Sequence, residues 1–576
     1  MGHFSTKQGA LFYSYTMDVE QQRKIDGFLA LLDRSGVGKF IELETMKEDQ
    51  AGEIGRPGYD PYKVFACVLF GFSMGSSSLR DLEASCMNDI RYMYLMECEK
   101  PSYSYFCTFI NRVIRPHCEQ IFAMVTSEIF RSLDLEIDDC FIDGTKFEAF
   151  PNKYKIVWKP TFFHGRLDGK IRALFQSMGL ARGVPSDGLI PSEMIARKLS
   201  EAQNLMKTGT GGIPEGFGQM EKSLSEYLIK VLEYEEKERI CGPDRNSYYK
   251  TDHDATAMCL KEDYYSGLGS NLHPAYQIQS VICHGFVLTC YVSQDRTDIY
   301  TFIPTFETFH RLYGIRPRRI CADSGYGCLQ NYRYCSEHGI AAFVKYQSWE
   351  GECSGRRPAL YELNDDNSIT CLGGRIGFKT EIPGRHHRAK GTTFYLVEGC
   401  AGCPFMPYCR QFTKEKSCDS KVFEFNPELQ RFKQKARDLL LSVEGIEMRV
   451  NRSCQAEGNF GTIKYDMFYD RIRRTGKQPV TMEMLLISLG YNLRKYMRYS
   501  ETGVKLKWWT APEGLTPEKF KKPSAKRLVN RVSKKRQKSV NEEAKSSYKY
   551  KKIRNKKRRG VRKPLNSDFL NTPFLR

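Results

Sequence analysis

The chain has 576 residues, of which 41% are hydrophobic and 27% charged, a composition typical of a soluble globular protein with several domains. Its longest nearly unbroken apolar run, "VFACVLFGFSMG" from Val64, is much shorter than the roughly 20 residues of a membrane-spanning helix. The N-terminus lacks a basic start followed by an apolar stretch, so we expect a cytoplasmic protein whose 20 cysteines are reduced thiols or metal ligands.

Residues 1–130 are predicted to form an all-helical N-terminal domain. Asp60 is a favourable N-cap and Pro61 suits a first helical turn, so a helix should begin there. Apolar residues then recur at broadly helical spacing from Leu79 to Met96. The domain is a candidate for DNA binding, as in a helix-turn-helix reader. A packing domain without a ligand fits the pattern equally well.

Residues 135–346 are predicted to form the first part of a mixed α/β core. An apolar, β-prone run ends at Asp143, two strand-like runs flank His284 as a hairpin, and a short strand ends at Asp323. A helix precedes that strand, and a further helix and strand follow it. This order indicates a mixed sheet with helices on its faces.

A helical insertion is predicted at about residues 150–250, within this core. The stretch "EKSLSEYLIKVLEYEEKERI" places apolar side chains on one helical face with charges opposite. The residues of that face are Leu224, Leu228, Val231 and Leu232. We expect a structural amphipathic helix there.

Residues 347–426 form a Cys-rich insertion with little periodicity. The run "CAGCPFMPYC" has the spacing C-x2-C-x5-C, and a CxxC supplies two of the four soft ligands that tetrahedral zinc prefers. Ordinary reduced cysteines and a redox pair remain alternatives. Cys418 is a second candidate for the fourth ligand in a possible structural Zn²⁺ site formed by Cys371, Cys400, Cys403 and Cys409.

Residues 427–500 turn helical again and carry Glu457, and a basic tail follows over residues 501–576. Between Lys519 and Lys563 there are 21 Lys and Arg but two acidic residues, a net +19 out of +20 for the whole chain. We predict that the tail is mostly disordered when free and binds DNA phosphates. Its candidate DNA-binding residues are Lys534, Lys535, Arg536, Lys556, Lys557, Arg558 and Arg559.

Three carboxylates suggest chemistry on DNA. Asp143 and Asp323 each come at a predicted strand end before a Gly-containing turn, so both could emerge at the carboxyl edge of the sheet, where open α/β sheets bind ligands. Glu457 could approach from a helix beside that edge. Phosphoryl transfer uses a pair of divalent ions held by such hard oxygen ligands. Lys464, two helical turns after Glu457, would face a DNA phosphate.

The motifs "FIDGTKFEA", "ADSGYG" and "AEGNFGTIKYD" resemble those of DDE transposases of bacterial insertion sequences. The stretches "PGYDPYKVFACVLFGFSMGSSSLRDLE", "KTDHDATAM" and "GYNLRKYM" extend the likeness over most of residues 50–500. It is greatest for the insertion-sequence eleven-eighty-two group.

The resemblance implies an RNase H-like core with Asp143, Asp323 and Glu457 as catalytic residues that bind Mg²⁺ or Mn²⁺. Related transposases often carry an arginine and a lysine near the glutamate. Lys464 matches the lysine, and either Arg452 or Arg449 could supply the arginine. The implied enzyme binds double-stranded DNA at terminal inverted repeats, pairs two ends as a homo-oligomer, and performs cleavage and strand transfer without any membrane association.

Two other functions fit the same residues. One is a metal-dependent nuclease on the same core, which hydrolyses DNA but does not join strands. The other is a catalytically retired transposase, which acts as a DNA-binding protein through its helical domain and tail. The three intact acidic positions argue against the second.

Overall fold

A computed structural model provides the structure of the protein. It describes residues 17–50, 58–76, 78–208, 214–243, 245–267, 269, 271–353, 360–381, 391–411, 413, 418–502 and 507–518. The seven basic tail residues predicted to bind DNA lie outside these ranges. The chain divides into two compact units. The first comprises the described residues up to Tyr346 and those from Ala436 to Pro517, and the second those from Gln347 to Lys435.

The N-terminal part of the first unit is helical, as predicted. Its helices are α1 (Val19–Ser35), α2 (Val37–Gln50), α3 (Pro61–Ser73), α4 (Leu79–Asn88), α5 (Ile90–Leu95), α6 (Tyr103–Phe109) and α7 (Arg115–Ser132), with a π-helical turn at Ile110–Ile114. The predicted start of α3 is confirmed, because the Asp60 carboxylate accepts the backbone N–H groups of Tyr62 at 2.9 Å and Lys63 at 3.2 Å.

Helix α3 is the core of this region. Every residue from Val64 to Ser73 is buried. Hydrophobic burial of this kind contributes roughly 25 cal/mol per Å² of apolar surface. The apolar run at Val64 is therefore a core helix, as its length predicts, and none of the described helices combines the length and hydropathy that crossing a membrane requires.

Eight strands lie in the described part of the first unit. They are β1 (Asp139–Glu148), β2 (Ile156–Trp158), β3 (Ser247–Tyr249), β4 (Thr256–Met258), β5 (His273–Cys283), β6 (Phe286–Ser293), β7 (Arg319–Ala322) and β8 (Ala341–Val344). The main sheet has the order β4-β5-β1-β7-β8, with β6 also paired to β5. Strand β1 is antiparallel to β5 and parallel to β7, and β7 is parallel to β8. The predicted mixed α/β sheet is thus observed.

The hairpin prediction is confirmed. Strands β5 and β6 are joined at His284 and Gly285, both of which have positive φ angles, of 51° and 72°. Two consecutive left-handed residues form the tight turn that suits the twist of an antiparallel pair.

Strand β1 does not end at Asp143, so that prediction is wrong. It continues through Gly144 to Glu148, and Gly144 pairs with Gln279 of β5. A side chain at position 144 would overlap the Gln279 amide. A glycine is therefore needed at position 144 because the Gln279 side chain fills the space beside it, and not because the chain turns away from the sheet there.

The insertion and the sheet-covering helices come next in the chain. They are α8 (Thr161–Ser177), α9 (Ser192–Thr208), α10 (Phe217–Cys241), α11 (Lys261–Tyr265), α12 (Phe302–Tyr313) and α13 (Leu329–Glu337). Helices α8 to α10 share their own apolar core, in which Leu224 and Val231 of α10 are fully buried and Leu228 is partly buried. Leu232 is 51% exposed, so its predicted place on the buried face is wrong.

The second unit contains an antiparallel sheet for which the sequence offered no strand signal. Its elements are α14 (Trp349–Cys353), β9 (Tyr361–Leu363), β10 (Ile369–Cys371), β11 (Ile376–Thr380), β12 (Thr393–Val397), α15 (Met406–Cys409) and β13 (Lys421–Phe425). The strands pair in sequence order, β9 to β13. A small core of Ile369, Tyr395, Val397 and Phe423 holds the sheet together.

The chain then becomes helical. The remaining helices are α16 (Pro427–Leu441), within which the boundary between the units falls, α17 (Val443–Arg452), α18 (Gly458–Gly461) and α19 (Lys477–Thr502). Helix α19 contacts β6, α3 and α7. At Gly490 it approaches the backbone of Phe72 so closely that an added Cβ would lie 2.6 Å from it. Helix α19 therefore joins the helical region to the sheet.

Candidate active site

Asp143 lies in the middle of β1, at the centre of the main sheet. Its side chain is only 17% exposed. Burial raises the pKa of Asp143 to about 6, against the opposing effect of Arg452 and with a further increase from Asp323. A carboxylate in this position needs a nearby positive charge if it is to stay ionised at neutral pH.

Asp323 directly follows β7, as predicted. It caps a single 3-10 turn, Ser324–Tyr326, by accepting the backbone N–H of Gly325 at 2.8 Å. Because β7 is parallel to β1, with Cys321 opposite Phe141, the next residues bring Asp323 to the level of Asp143. The two aspartates therefore lie side by side on neighbouring strands, Asp143 within β1 and Asp323 just after the carboxyl end of β7.

Glu457 lies on the helical stretch that runs beside β1. Helix α17 continues through a π-helical segment (Ser453–Glu457), α18, and a second π-helical segment (Thr462–Asp466). π-Helical turns interrupt the regular α-helical register and often occur at functional sites. The Glu457 side chain is 60% exposed, which leaves its carboxylate open to a ligand.

Arg452 joins the three carboxylates. Its Nη2 atom lies 3.2 Å from Asp143 Oδ1 and 3.8 Å from Asp323 Oδ2, and its Nη1 atom lies 3.4 Å from Glu457 Oε1. Burial acts to lower the pKa of Arg452, but the carboxylates outweigh it and raise the pKa. The guanidinium is thus a counter-ion shared by all three acids.

Arg452 explains why the three acids are not arranged to hold a metal ion in this structure. Among the described residues, no three Asp, Glu, His or Cys side chains are placed to hold a metal ion as they stand. The three acids contact the Arg452 guanidinium, whose Nε atom is buried without a hydrogen-bond partner in the described part of the chain. Of the two arginines that the sequence left open, Arg452 is the one that contacts the acids.

Lys464 contacts the same strand two residues beyond Asp143. Its Nζ donates to Thr145 Oγ1 at 2.9 Å and to the Lys146 carbonyl at 3.1 Å, and it lies 4.7 Å from the centre of the Phe147 ring. Burial lowers the pKa of Lys464. Lys464 therefore connects the helical stretch that carries Glu457 to β1 through hydrogen bonds.

A buried polar network lies close to the acids, and the sequence analysis missed it. Gln277 and Gln279 of β5 both donate to Asp298 Oδ1, and the Tyr326 hydroxyl donates to Gln279 Oε1. Burial raises the pKa of Asp298, and Asp323 adds to this. The available signal was the alternation in "YQIQS", which puts two glutamines on one face of an otherwise apolar strand.

The cysteines of the second unit form a separate feature. A cavity of about 20 Å³ is lined by the sulfur-bearing side chains of Cys371, Cys400, Cys403 and Cys409. The four predicted zinc ligands therefore lie around one small space. The Cys409 thiol accepts a hydrogen bond from Lys421 Nζ at 3.1 Å, so it has a cationic partner.

Two parts of the chain match known protein families. Residues 18–112 match a family described as Transposase domain (DUF772), and residues 374–497 match a Transposase DDE domain. The second match includes Arg452, Glu457 and Lys464 but neither aspartate. No curated protein and no solved structure matches the chain. Membership of the eleven-eighty-two group stays a prediction. Two transposase matches on one chain confirm its likeness to the DDE-type transposases of insertion sequences.

Proposed function

We propose that this protein binds the terminal inverted repeats of its own insertion sequence, cuts the DNA there and joins the freed ends to target DNA. The observation that carries the proposal is the convergence of Asp143, Asp323 and Glu457 on the Arg452 guanidinium. Three acids from elements far apart in sequence form one cluster beside the carboxyl end of β7. An assembly of two or more copies on double-stranded DNA, close to the nucleoid, would hold two ends together.

The strand order supports an RNase H-like core. Strands β1, β5 and β6 form an antiparallel meander, and β7 and β8 extend the sheet in parallel on the other side of β1. Asp143 lies on the central strand of this arrangement. The long insertion between β1 and β5 accounts for much of the distance between the first two acids.

The donor set fits Mg²⁺ or Mn²⁺. Asp143, Asp323 and Glu457 offer hard carboxylate oxygens, which these cations prefer. The buried Asp143 carboxylate also needs a positive charge, which Arg452 supplies in the structure. When bound, a pair of divalent ions would activate the attacking water or 3′-hydroxyl and stabilise the leaving oxygen.

The chain's own residues would position the DNA. Arg452 and Lys464 lie on the helical stretch beside β1, within reach of a phosphate brought to the acids. Arginine suits such a contact because its planar fork can form two parallel hydrogen bonds to phosphate oxygens. Gln277 and Gln279 both donate to Asp298 Oδ1 and so hold this carboxylate in place.

The replacement Asp143→Asn tests the proposal. We expect it to abolish Mg²⁺-dependent cleavage of a DNA fragment that carries the element end, while end binding is retained. Asp134→Asn is a matched control, because Asp134 is exposed and its φ of 53° suits asparagine equally well. Cleavage by Asp143→Asn at the wild-type rate would refute the assignment. Joined products with a target plasmid separate a transposase from a nuclease that only hydrolyses DNA.

The basic tail is proposed as a second DNA contact. The region from Lys519 to Lys563 carries a net charge of +19, and each phosphate contact by a Lys or Arg releases counter-ions. Deletion of residues 519–576 should therefore weaken nonspecific DNA binding and flatten its dependence on salt. A salt dependence that is unchanged by the deletion would contradict this role.

We also propose that the cysteine-lined cavity binds a structural Zn²⁺. Cys371, Cys400, Cys403 and Cys409 line this cavity and would supply the four sulfur ligands that closed zinc sites use. Their thiols would first have to move together, because no three described side chains are placed to hold a metal ion as they stand. Lys421 Nζ donates to the Cys409 sulfur at 3.1 Å, so one of these sulfurs already has a polar partner. Zinc would stabilise a sheet whose own apolar core contains few buried side chains.

A further inference from the structure

A second cavity, of about 300 Å³, adjoins the carboxylates. Gly144 and Thr145, the two residues that follow Asp143 on β1, form part of its wall, and Asp298 forms another part. The volume is at the lower end of the range for small-ligand pockets, roughly 300–1,000 Å³. A single base or nucleotide is a ligand of suitable size. None of the residues proposed for catalysis or phosphate binding uses this cavity.

Three cationic side chains line the cavity. Lys146 donates to the Cys259 carbonyl at 3.3 Å and so is held at the wall. Lys261 and Arg296 are exposed, and neither forms an ion pair with any residue that the structure describes. This concentration of positive charge beside the acids suits a phosphate of a DNA strand that passes over the site.

Two aromatic side chains stand at the same cavity. Tyr264 is 70% exposed and Tyr265 is 75% exposed, although both are large and partly apolar. They belong to α11, and their ring centres lie 5.8 Å apart with the ring planes at 73°. Exposed aromatic rings among cations are typical of sites where unpaired bases stack.

One buried polar atom in the wall has no partner. Gln277 is only 3% exposed, and its Nε2 donates to Asp298. That bond fixes the amide so that Oε1 is left as an acceptor, and Oε1 is buried without any hydrogen-bond partner in the described part of the chain. A buried unpaired acceptor costs stability unless a ligand supplies the donor. Amino and ring N–H groups of bases are such donors.

We propose that this cavity holds one unpaired nucleotide of the DNA strand that is cut at the carboxylates. The base stacks on Tyr264 or Tyr265 and donates to Gln277 Oε1, and Lys261 and Arg296 contact its phosphates. The proposal rests on the proposed function, since it places the cavity beside the scissile phosphate. Binding an unpaired base there would favour DNA ends that melt easily.

Binding of fluorescently labelled DNA tests the proposal independently of cleavage. The probes are a blunt duplex, the same duplex with a short single-stranded 3′ overhang, and that overhang with abasic sites in place of its bases. We expect the full-length wild-type protein to prefer the overhang with bases over both other probes. Tyr264→Ala and Tyr265→Ala together should weaken binding of that overhang roughly five-fold or more and leave the blunt duplex unaffected.

Two control variants separate stacking from other effects. Tyr264→Phe with Tyr265→Phe keeps both rings and should keep the preference. Tyr154→Ala removes a tyrosine that is 81% exposed, lies beside Lys153 and is outside the cavity wall, and it should change none of the three affinities. Equal binding of the overhang with and without bases, or unchanged binding by the double alanine variant, would overturn the proposal. Loss of cleavage in Asp143→Asn would still stand in that case, so the two failures are distinguishable.

Discussion

The carboxylate cluster of the first unit and the cysteine-lined cavity of the second are both candidate metal sites, but they are built in opposite ways. Asp143 and Arg452 are 309 residues apart in sequence and come together through the packing of a helical stretch on a sheet. Cys400, Cys403 and Cys409 lie within one short run around α15. The first site depends on the whole fold of its unit, whereas the second takes three of its four cysteines from one local turn and only Cys371 from the sheet.

The two regions also differ in charge. Three ionised carboxylates repel one another, so their cluster requires a cation at neutral pH, and Arg452 fills this need. Thiols can remain neutral when no metal is bound, and burial raises the pKa of Cys400. In the absence of metal, Arg452 therefore neutralises the acidic cluster by pairing with the same carboxylates that would bind the metal ions. Neutral thiols need no such counter-ion.

The largest effect is expected in the cysteine region. Cys400→Ser with Cys403→Ser should remove zinc from the purified protein and abolish the unfolding transition of the second unit, since structural zinc contributes about 10–16 kcal/mol in small zinc-binding peptides. Elemental analysis and thermal melting measure both results. Cys454→Ser, at an exposed cysteine, is the control. Negligible zinc in the wild type and the variant alike would refute the site.

The next largest effect should come from Arg452→Gln. Loss of the shared counter-ion leaves three acids facing one another, and breaking a buried ion pair costs about 3–5 kcal/mol. Thermal melting without metal should therefore show a clear loss of stability, and added Mg²⁺ should raise the melting temperature more than in the wild type. Arg449→Gln serves as the comparison, one helical turn earlier. Equal responses of the two variants to Mg²⁺ would contradict the counter-ion role.

The pH dependence of metal-free stability isolates Asp143. Folding raises the pKa of Asp143 from 3.8 to about 6, so the folded state binds more protons than the unfolded state between these values. The free energy of unfolding of the protein therefore falls as the pH rises from about 4 to about 6. Relative to the wild type, Asp143→Asn should gain on the order of 2–3 kcal/mol above pH ~7 and nothing near pH ~4. Urea unfolding at a series of pH values measures the difference, and a gain that does not vary with pH would count against the buried charge.

The smallest effects contrast two glycines. Gly144→Ala would push a methyl group into the Gln279 amide and should cost about 1–3 kcal/mol, because it displaces the network that holds Asp298. At Gly373 an added Cβ would lie 3.0 Å from Cys403 Sγ and 3.7 Å from Cys371 Sγ, both ends of side chains, so in zinc-free protein Gly373→Ala should change stability by less than about 1 kcal/mol. The denaturant midpoints of the two variants measure these losses of stability. A larger loss for Gly373→Ala than for Gly144→Ala would contradict the prediction.

The parts of the fold that the sequence predicted have local causes. Asp60 and Pro61 mark the start of α3, and the apolar run after them is a buried helix. The turn at His284 and Gly285 separates two apolar runs, which indicates a hairpin. In each case the deciding residues are neighbours in sequence, so the pattern can be read without knowledge of the rest of the chain.

The parts that could not be predicted depend on contacts across the chain. Glycine has low strand propensity, so Gly144 looked like the end of β1, but its pairing with Gln279 keeps the strand going. Arg452 was one of two candidate arginines, and only its position next to the acids distinguishes it from Arg449. The strands of the second unit are three to five residues long and lie among glycines and cysteines, which hides their periodicity.

The docking of α19 against both α3 and β6 has a consequence for synthesis of the protein. Arg452, Glu457 and α19 emerge from the ribosome long after Asp143 and Asp323. Contacts between such distant residues form late, because the loop between them must close first. A chain whose translation stops before α19 therefore lacks the contacts that join the helical region to the sheet. A chain that stops before Arg452 also lacks the acidic cluster, so a DNA-cutting activity at the three acids would arise only in molecules translated beyond Glu457.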